Sequence, residues 1–149
     1  MKKNVIFDLD GTLADCEHRR HFVTGDKKDW DGFFKTCVND EPIKPIINLL
    51  KMYRALGCNI YILSGRSASV MTQTRLWIER HVGYLGSGMQ LAMREEEDLR
   101  PDRHVKIDML IELGLEPEDT EIVFDDRQSM VDMWRELGFL CCQVAPGDF

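Results

Sequence analysis

The stretch Val5-Ile6-Phe7-Asp8-Leu9-Asp10-Gly11-Thr12-Leu13 constrains this chain more than any other. Three apolar residues run into Asp8, the pattern of a buried strand. Asp8 and Asp10 stand two apart, so on an extended chain they lean to the same side. Gly11 permits a sharp turn, and Thr12 adds a hydroxyl that could meet a phosphate. Two carboxylates so close repel each other, and positive charge should offset them. A hard divalent cation such as Mg²⁺ is the natural candidate, and it leaves room for phosphate oxygens in its coordination shell. The alternative is a strand followed by a plain acidic turn, because Asp-Gly pairs are common turn formers.

With 149 residues the chain is expected to form one domain, 1–149, large enough for a real core. The net charge of −7 excludes a broad basic field for a long nucleic acid track. It does not exclude a nucleic acid end, where a few basic residues and a metal suffice. The five cysteines are odd in number and show no Cys-x-x-Cys spacing, so a disulfide framework or zinc site is not expected. Reduced thiols point to the cytoplasm. No apolar run is long enough to span a bilayer, and Met1-Lys2-Lys3 does not open a signal peptide, so no membrane association is expected.

Along the chain, strands and helices alternate. Strands are expected at Lys3–Phe7, Asn59–Leu63, Met89–Met93, Glu121–Phe124 and Cys141–Ala145. Helical spacing runs through Ile46, Leu49, Leu50, Tyr53 and Leu56, then through Val70 to Val82. Two further helices are expected from Pro101 to Gly114 and from Met130 to Leu137. Met52, Met71, Met109, Met130 and Met133 are expected to fill core gaps. This pattern argues for an α/β fold, a parallel sheet with helices on both faces. The segment 14–45 is irregular and polar, with one aromatic cluster at Trp30, Phe33 and Phe34. It reads as a short helix packed on the core or as a minimal cap over a site.

In such sheets ligands bind beyond the carboxyl ends of the strands. Asp8, Ser64 and Asp125 all fall at such ends. Ser64 offers a hydroxyl to a phosphate oxygen, and Gly65 lets the backbone approach the same group. Lys106 could neutralise charge between nucleophile and phosphate, and Asp102, one helical turn earlier, could hold it in place. Asp125 and Asp126 follow an apolar run, where adjacent acids need solvent, a helix to cap or a metal. Asp125 is the candidate direct ligand and Asp126 the ligand through water.

Taken in order, Asp8/Asp10, Ser64, Lys106 and Asp125/Asp126 resemble the four motifs of the haloacid-dehalogenase-like phosphohydrolases. The resemblance implies a Rossmann-like core with a small cap insertion. It also implies that Asp8 is a nucleophile and Asp10 a general acid/base. It narrows further at Arg19, Ser64-Gly65-Arg66, Met71-Thr72-x-x-Arg75-x-Trp77, Met93-Arg94, Asp98-x-Arg100-x-Asp102, Asp125-Asp126-Arg127, Met133-Trp134-Arg135 and the ending Gln143 to Phe149. These are similar to the 3′-phosphatase domain of phage-type polynucleotide kinase/phosphatase. By that resemblance Arg19 and Arg66 contact substrate or phosphate, and Asp102 supports Lys106. That family usually joins a kinase to this domain, whereas no Gly-x-x-x-x-Gly-Lys-Ser/Thr loop occurs here.

The expected activity is therefore a Mg²⁺-dependent phosphomonoesterase acting on nucleic acid 3′-phosphate ends, with a separate kinase or ligase as a partner. Mg²⁺ would bind Asp8, Asp125 and the Asp10 backbone carbonyl. Asp8 should stay ionised while Asp10 holds a proton in the first step. Two other readings stay open. One is a nucleotidase for free mononucleotides. The other is a non-enzymatic phospho-acceptor like a receiver domain, although receivers place the acidic pair before the acceptor strand.

Overall fold

The computed structural model describes residues 1–147. Asp148 and Phe149, the last two residues of the family-like ending, lie outside the described residues. The elements in chain order are β1 (Asn4–Phe7), β2 (Ala14–Asp15), α1 (Trp30–Lys35), β3 (Glu41–Pro42), α2 (Lys44–Ala55) and β4 (Asn59–Ser67). There follow α3 (Met71–His81), β5 (Met89–Arg94), α4 (Asp102–Leu113), β6 (Thr120–Asp125), α5 (Gln128–Glu136) and β7 (Cys141–Gln143). Five strands form one parallel sheet in the order β5-β4-β1-β6-β7.

The alternation of side chains along each strand divides the core in two. Val5 and Phe7 face one way with Ile60, Ile62 and Phe124, beneath Ile47 and Leu50 of α2 and Trp77 and Ile78 of α3. Ile6 faces the other way with Leu63 and Val123, beneath Val105 and Met109 of α4 and Met130, Val131 and Trp134 of α5. Both faces are covered, which is why the strands read as near-continuous apolar runs. Each fully buried side chain of this size contributes about 1.5–3 kcal/mol. The result is an α/β, Rossmann-like sheet with helices on both faces.

Central β1 lies between β4 and β6, so Asp8, Ser64 and Asp125 emerge side by side. After β5 the chain crosses to the opposite side of β1, which opens a crevice at the carboxyl ends of the central strands.

Three details differ from expectation. The segment after β1 is stapled at its base by a two-residue antiparallel ribbon, Ala14 opposite Pro42 and Asp15 opposite Glu41. Strands that short leave no alternation to read. The aromatic cluster does form a helix, α1, but no residue of it is buried, so it does not pack into the core. Met52 is exposed rather than filling a core gap, because α2 turns Ile47 and Leu50 to the sheet and leaves Met52 off that face. Among the described residues no helix is long and apolar enough to cross a membrane.

Candidate active site

Asp8 leaves β1 at the floor of the crevice, and its N–H donates to the Phe124 carbonyl at 2.9 Å. That bond ties it to β6 and to the two acids at the end of that strand. Thr12, fully buried, donates its hydroxyl to Asp8 Oδ2 at 3.2 Å. Lys106 reaches in from α4, only 2% exposed, with Nζ 2.7 Å from Asp8 Oδ1 and 3.2 Å from Asp125 Oδ2. Asp125 is fixed further by the Trp134 indole N–H at 3.0 Å and the Arg127 backbone N–H at 3.2 Å. Asp126 makes no side-chain cap on α5, so capping does not account for it. Instead it bears on Gly11, whose φ is +82°, where an added Cβ would fall 2.1 Å from Asp126 Oδ2. The turn after β1 is thus left-handed and free of a side chain because the Asp126 carboxylate occupies that space.

Carboxylate oxygens of Asp8, Asp125 and Asp126 lie within 4.8 Å of one another, and all three residues are buried. Three acids against one lysine, offering only oxygen donors, fit a hard divalent cation. The electrostatics agree. Burial, then Asp125 and Asp126, push the Asp8 carboxyl well above its ordinary value, although Lys106 opposes them. Burial and Asp125 raise Asp126 to about 6.

Asp10 has a different environment. Its side chain is a quarter exposed and accepts from Arg19 Nη2 at 2.5 Å and from Arg66 Nη2 at 2.7 Å. Burial would raise its pKa, but Arg66 and Arg19 outweigh that and hold the carboxyl below its ordinary value. By the chain's own groups the two carboxylates are therefore split, Asp8 upward and Asp10 downward; the ionised Asp8 and protonated Asp10 expected from sequence belong to the metal- and substrate-bound first step. The acids beside Asp8 and the arginines beside Asp10 set that sense.

Asp40, which sequence reasoning passed over, joins the arginines from behind. It is buried and accepts from Arg19 Nε and Nη2 and from Arg66 Nη2, each at 2.7 Å, and His18 Nε2 lies at the same distance. Trp77 donates to the Asp40 backbone carbonyl at 2.8 Å. Arg66 also reaches the Thr74 hydroxyl at 3.2 Å. No spacing signal marks Asp40, which stands alone in a polar, irregular stretch. Trp134 also went unnoticed as a site residue, because its spacing marks only a helix core.

Ser64 is 1% exposed, and its hydroxyl accepts from the Arg66 backbone N–H at 3.1 Å. Gly65 faces Asp102, whose Oδ1 would be 2.7 Å from an added Cβ. Asp102 bonds to Arg94 and to Arg127 Nη1, the latter at 3.0 Å. It influences Lys106 through its charge, while the lysine's hydrogen bonds go to Asp8 and Asp125. Arg94 Nε closes this corner on the Gly65 carbonyl at 2.9 Å. The candidate residues Asp8, Asp10, Thr12, Arg19, Ser64, Gly65, Arg66, Asp102, Lys106, Asp125 and Asp126 thus gather at one rim. Arg19 and Arg66, however, are turned onto Asp10 and Asp40 and are closed to solvent.

Fold and site together define a phosphoric monoester hydrolase of the haloacid-dehalogenase-like type. The family model for the polynucleotide kinase PNKP phosphatase domain matches residues 2–149, and the chain belongs to that family. It is 31% identical over 136 residues to a protein of Autographa californica nuclear polyhedrosis virus described as "Putative bifunctional polynucleotide kinase/RNA ligase". That match covers 89% of this chain and 18% of the viral one. A chain in the structure of the Pnkp1/Rnl/Hen1 RNA repair complex superimposes with a TM-score of 0.82 at 32% identity, over all of this chain and 44% of that one. The chain therefore spans less than half the length of these two relatives. CbbY from Rhodobacter sphaeroides, in complex with phosphate, has a TM-score of 0.66 at 15% identity over 100% of this chain and 88% of its own, a likeness of fold alone.

Proposed function

We propose that this chain is a Mg²⁺-dependent phosphatase that removes a 3′-phosphate from a nucleic acid end through an aspartyl-phosphate on Asp8. The observation that carries the reading is Lys106 held between Asp8 and Asp125 in a chain matched almost end to end by the PNKP phosphatase family.

Asp8, Asp125, Asp126 and the Asp10 backbone carbonyl would hold the metal. A bound Mg²⁺ supplies positive charge that keeps nucleophile and phosphate oxygens together. Asp8 attacks phosphorus, the bond to the ribose 3′-oxygen breaks, and Asp10 gives that oxygen its proton. A water then attacks the aspartyl-phosphate, Asp10 takes its proton, and inorganic phosphate leaves with Asp8 restored. Lys106 and the Ser64 hydroxyl meet the phosphoryl oxygens as charge develops. An anionic phosphate entering beside Asp10 competes for Arg19 and Arg66. Any share of their charge it draws away lets the Asp10 carboxyl rise toward protonation. Gly65 and Asp102 shape the wall on which the phosphate rests.

By analogy with the viral relative and the RNA repair complex, we place a kinase or ligase beside this activity. The test compares kcat/KM for oligonucleotides phosphorylated at the 3′ or the 5′ end, in DNA and RNA, with free 3′- and 5′-nucleotides. Preference for the 3′-phosphorylated oligonucleotide is expected. Activity confined to free nucleotides would replace this reading with a nucleotidase. A stable stoichiometric phosphoprotein without turnover would replace it with a phospho-acceptor.

A further inference from the structure

The segment between β1 and α2 presents an aromatic surface that the chemistry above leaves unused. Helix α1 carries Trp30, Phe33 and Phe34 and buries none of them, and Trp30 is 50% exposed. The rings pack on one another, Trp30 on Phe34 at 6.0 Å between centroids and Phe33 on Phe34 at 5.5 Å. Two contacts position the helix that carries them. Asp29 caps the helix by accepting from the Gly32 N–H at 2.9 Å, and Gly32 sits so close to Phe22 that a Cβ there would be 2.7 Å from its ring.

This surface is joined to the reacting groups. The Phe33 ring stacks on the Arg19 guanidinium at 4.3 Å, and Arg19 bonds to Asp10. One side chain therefore separates the aromatic cluster from the acid/base. The charge is suitable as well. With Arg19 buried, residues 17–35 offer four basic and four acidic side chains, a neutral patch in a chain with 19 and 26. Lys27, Lys28 and Lys35 are exposed in the same segment, and Lys28 Nζ lies 5.8 Å from the Trp30 ring centre. Trp30 is exposed and Phe34 half-buried beside it, and an accessible ring next to a lysine is the arrangement that holds single-stranded nucleic acid, by base stacking and phosphate contact.

We infer that Trp30 and Phe34 form a stacking subsite for the unpaired bases next to the 3′-phosphate of a single-stranded nucleic acid end. This rests on the proposed 3′-phosphatase reading and names the part of the substrate that reading leaves open. The bases stack while the phosphate reaches the crevice past Arg19. Only the last few bases are held, because the acidic remainder of the chain offers no track beyond them.

The experiment is a cycle in which the ring and the base are removed separately and together. Wild type and Trp30→Ala are assayed on a 3′-phosphorylated single strand and on the same strand with its last three nucleotides abasic. Trp30→Ala should raise KM on the intact strand by roughly 5- to 100-fold. The abasic strand should impose a similar rise on wild type and little more on the variant, and Trp30→Phe should restore most of the loss. Losses that multiply independently, or no loss, would overturn the subsite. A binding titration keeps the inference separate from the catalytic reading. Trp77 and Trp134 are 4% and 1% exposed, so in Asp8→Asn protein an unphosphorylated single strand should quench mainly Trp30 fluorescence. Quenching supports the subsite even if 3′-phosphatase activity is missing, and its absence overturns it. If sedimentation shows a dimer that Trp30→Ala converts to monomer, a second copy covers the rings and the inference falls.

Discussion

Arg66 grips Asp10 with two nitrogens, Nη2 at 2.7 Å and Nε at 3.0 Å from Oδ1, across 56 positions of sequence. With Arg19 on the same oxygen, the pair holds the Asp10 carboxyl below its ordinary value. A general acid must carry a proton, so activity is lost as pH rises through its pKa. Arg66→Gln removes part of the positive charge, so the Asp10 pKa should rise and the alkaline limb of the kcat profile should move to higher pH. The profile is to be measured on an alkyl phosphate, where the leaving oxygen needs its proton. An unmoved limb would show that Arg66 does not set the protonation of Asp10.

Asp8→Asn keeps the shape and the hydrogen bond from Lys106 but removes the nucleophile's charge. Turnover of nitrophenyl phosphate should fall on the order of 10⁴-fold or more. The fold should persist, since one of three crowded acids is relieved. Near wild-type turnover by folded protein would rule out an aspartyl-phosphate on Asp8.

Lys106→Met deletes the ammonium buried among these acids. Removing one partner of a buried ion pair costs about 3–5 kcal/mol. Urea denaturation should show that loss without metal, with part of it restored by Mg²⁺. A variant as stable as wild type in the absence of metal would mean that the acids are neutralised in another way.

Asp8 and Asp126 titrate above their ordinary values in the folded protein, Asp126 at about 6. Below that value and above the ordinary carboxylate range, the folded state binds more protons than the unfolded one. Metal-free stability should therefore rise as pH falls from about 7.5 toward 5, by on the order of 2 kcal/mol. Asp10, shifted downward, acts in the opposite direction only at lower pH. Mg²⁺ needs ionised carboxylates, so it should raise Tm more at pH 7.5 than at pH 5. Melts at both pH values, with and without Mg²⁺, check this, and Asp126→Asn should flatten the metal-free slope. An equal Mg²⁺ shift at both pH values would contradict it.

The sheet was legible because its strands are buried on both faces and end in polar residues. Asp8 and Asp125 could be placed on one rim from those endings, and Ser64 joins them although β4 runs past the expected end at Leu63 to Ser67. Lys106 could be placed only by its position between two strands, since nothing local distinguishes it from a surface lysine. Asp40 and the ribbon from Ala14 to Pro42 left no periodic trace, because their partners lie far away in sequence. The ion pairs on Asp10 left no trace for the same reason. Two arginines, 9 and 56 positions away, meet on it only after folding. Sequence spacing shows which carboxylates come together, but not which cations face each of them.

The central place of β1 also bears on how the protein is made. The ribosome completes this strand well before its partners, Asn59 for one edge and Thr120 for the other. Until β6 emerges, Asp8 lacks the bond to Phe124 and the company of Asp125. A nascent chain stalled before that point would carry the nucleophile without the rest of its site. Its unpaired central strand would also be an exposed edge for a chaperone or another chain to bind. Assembly of the catalytic rim thus waits for β6, although Asp8 is made long before Asp125.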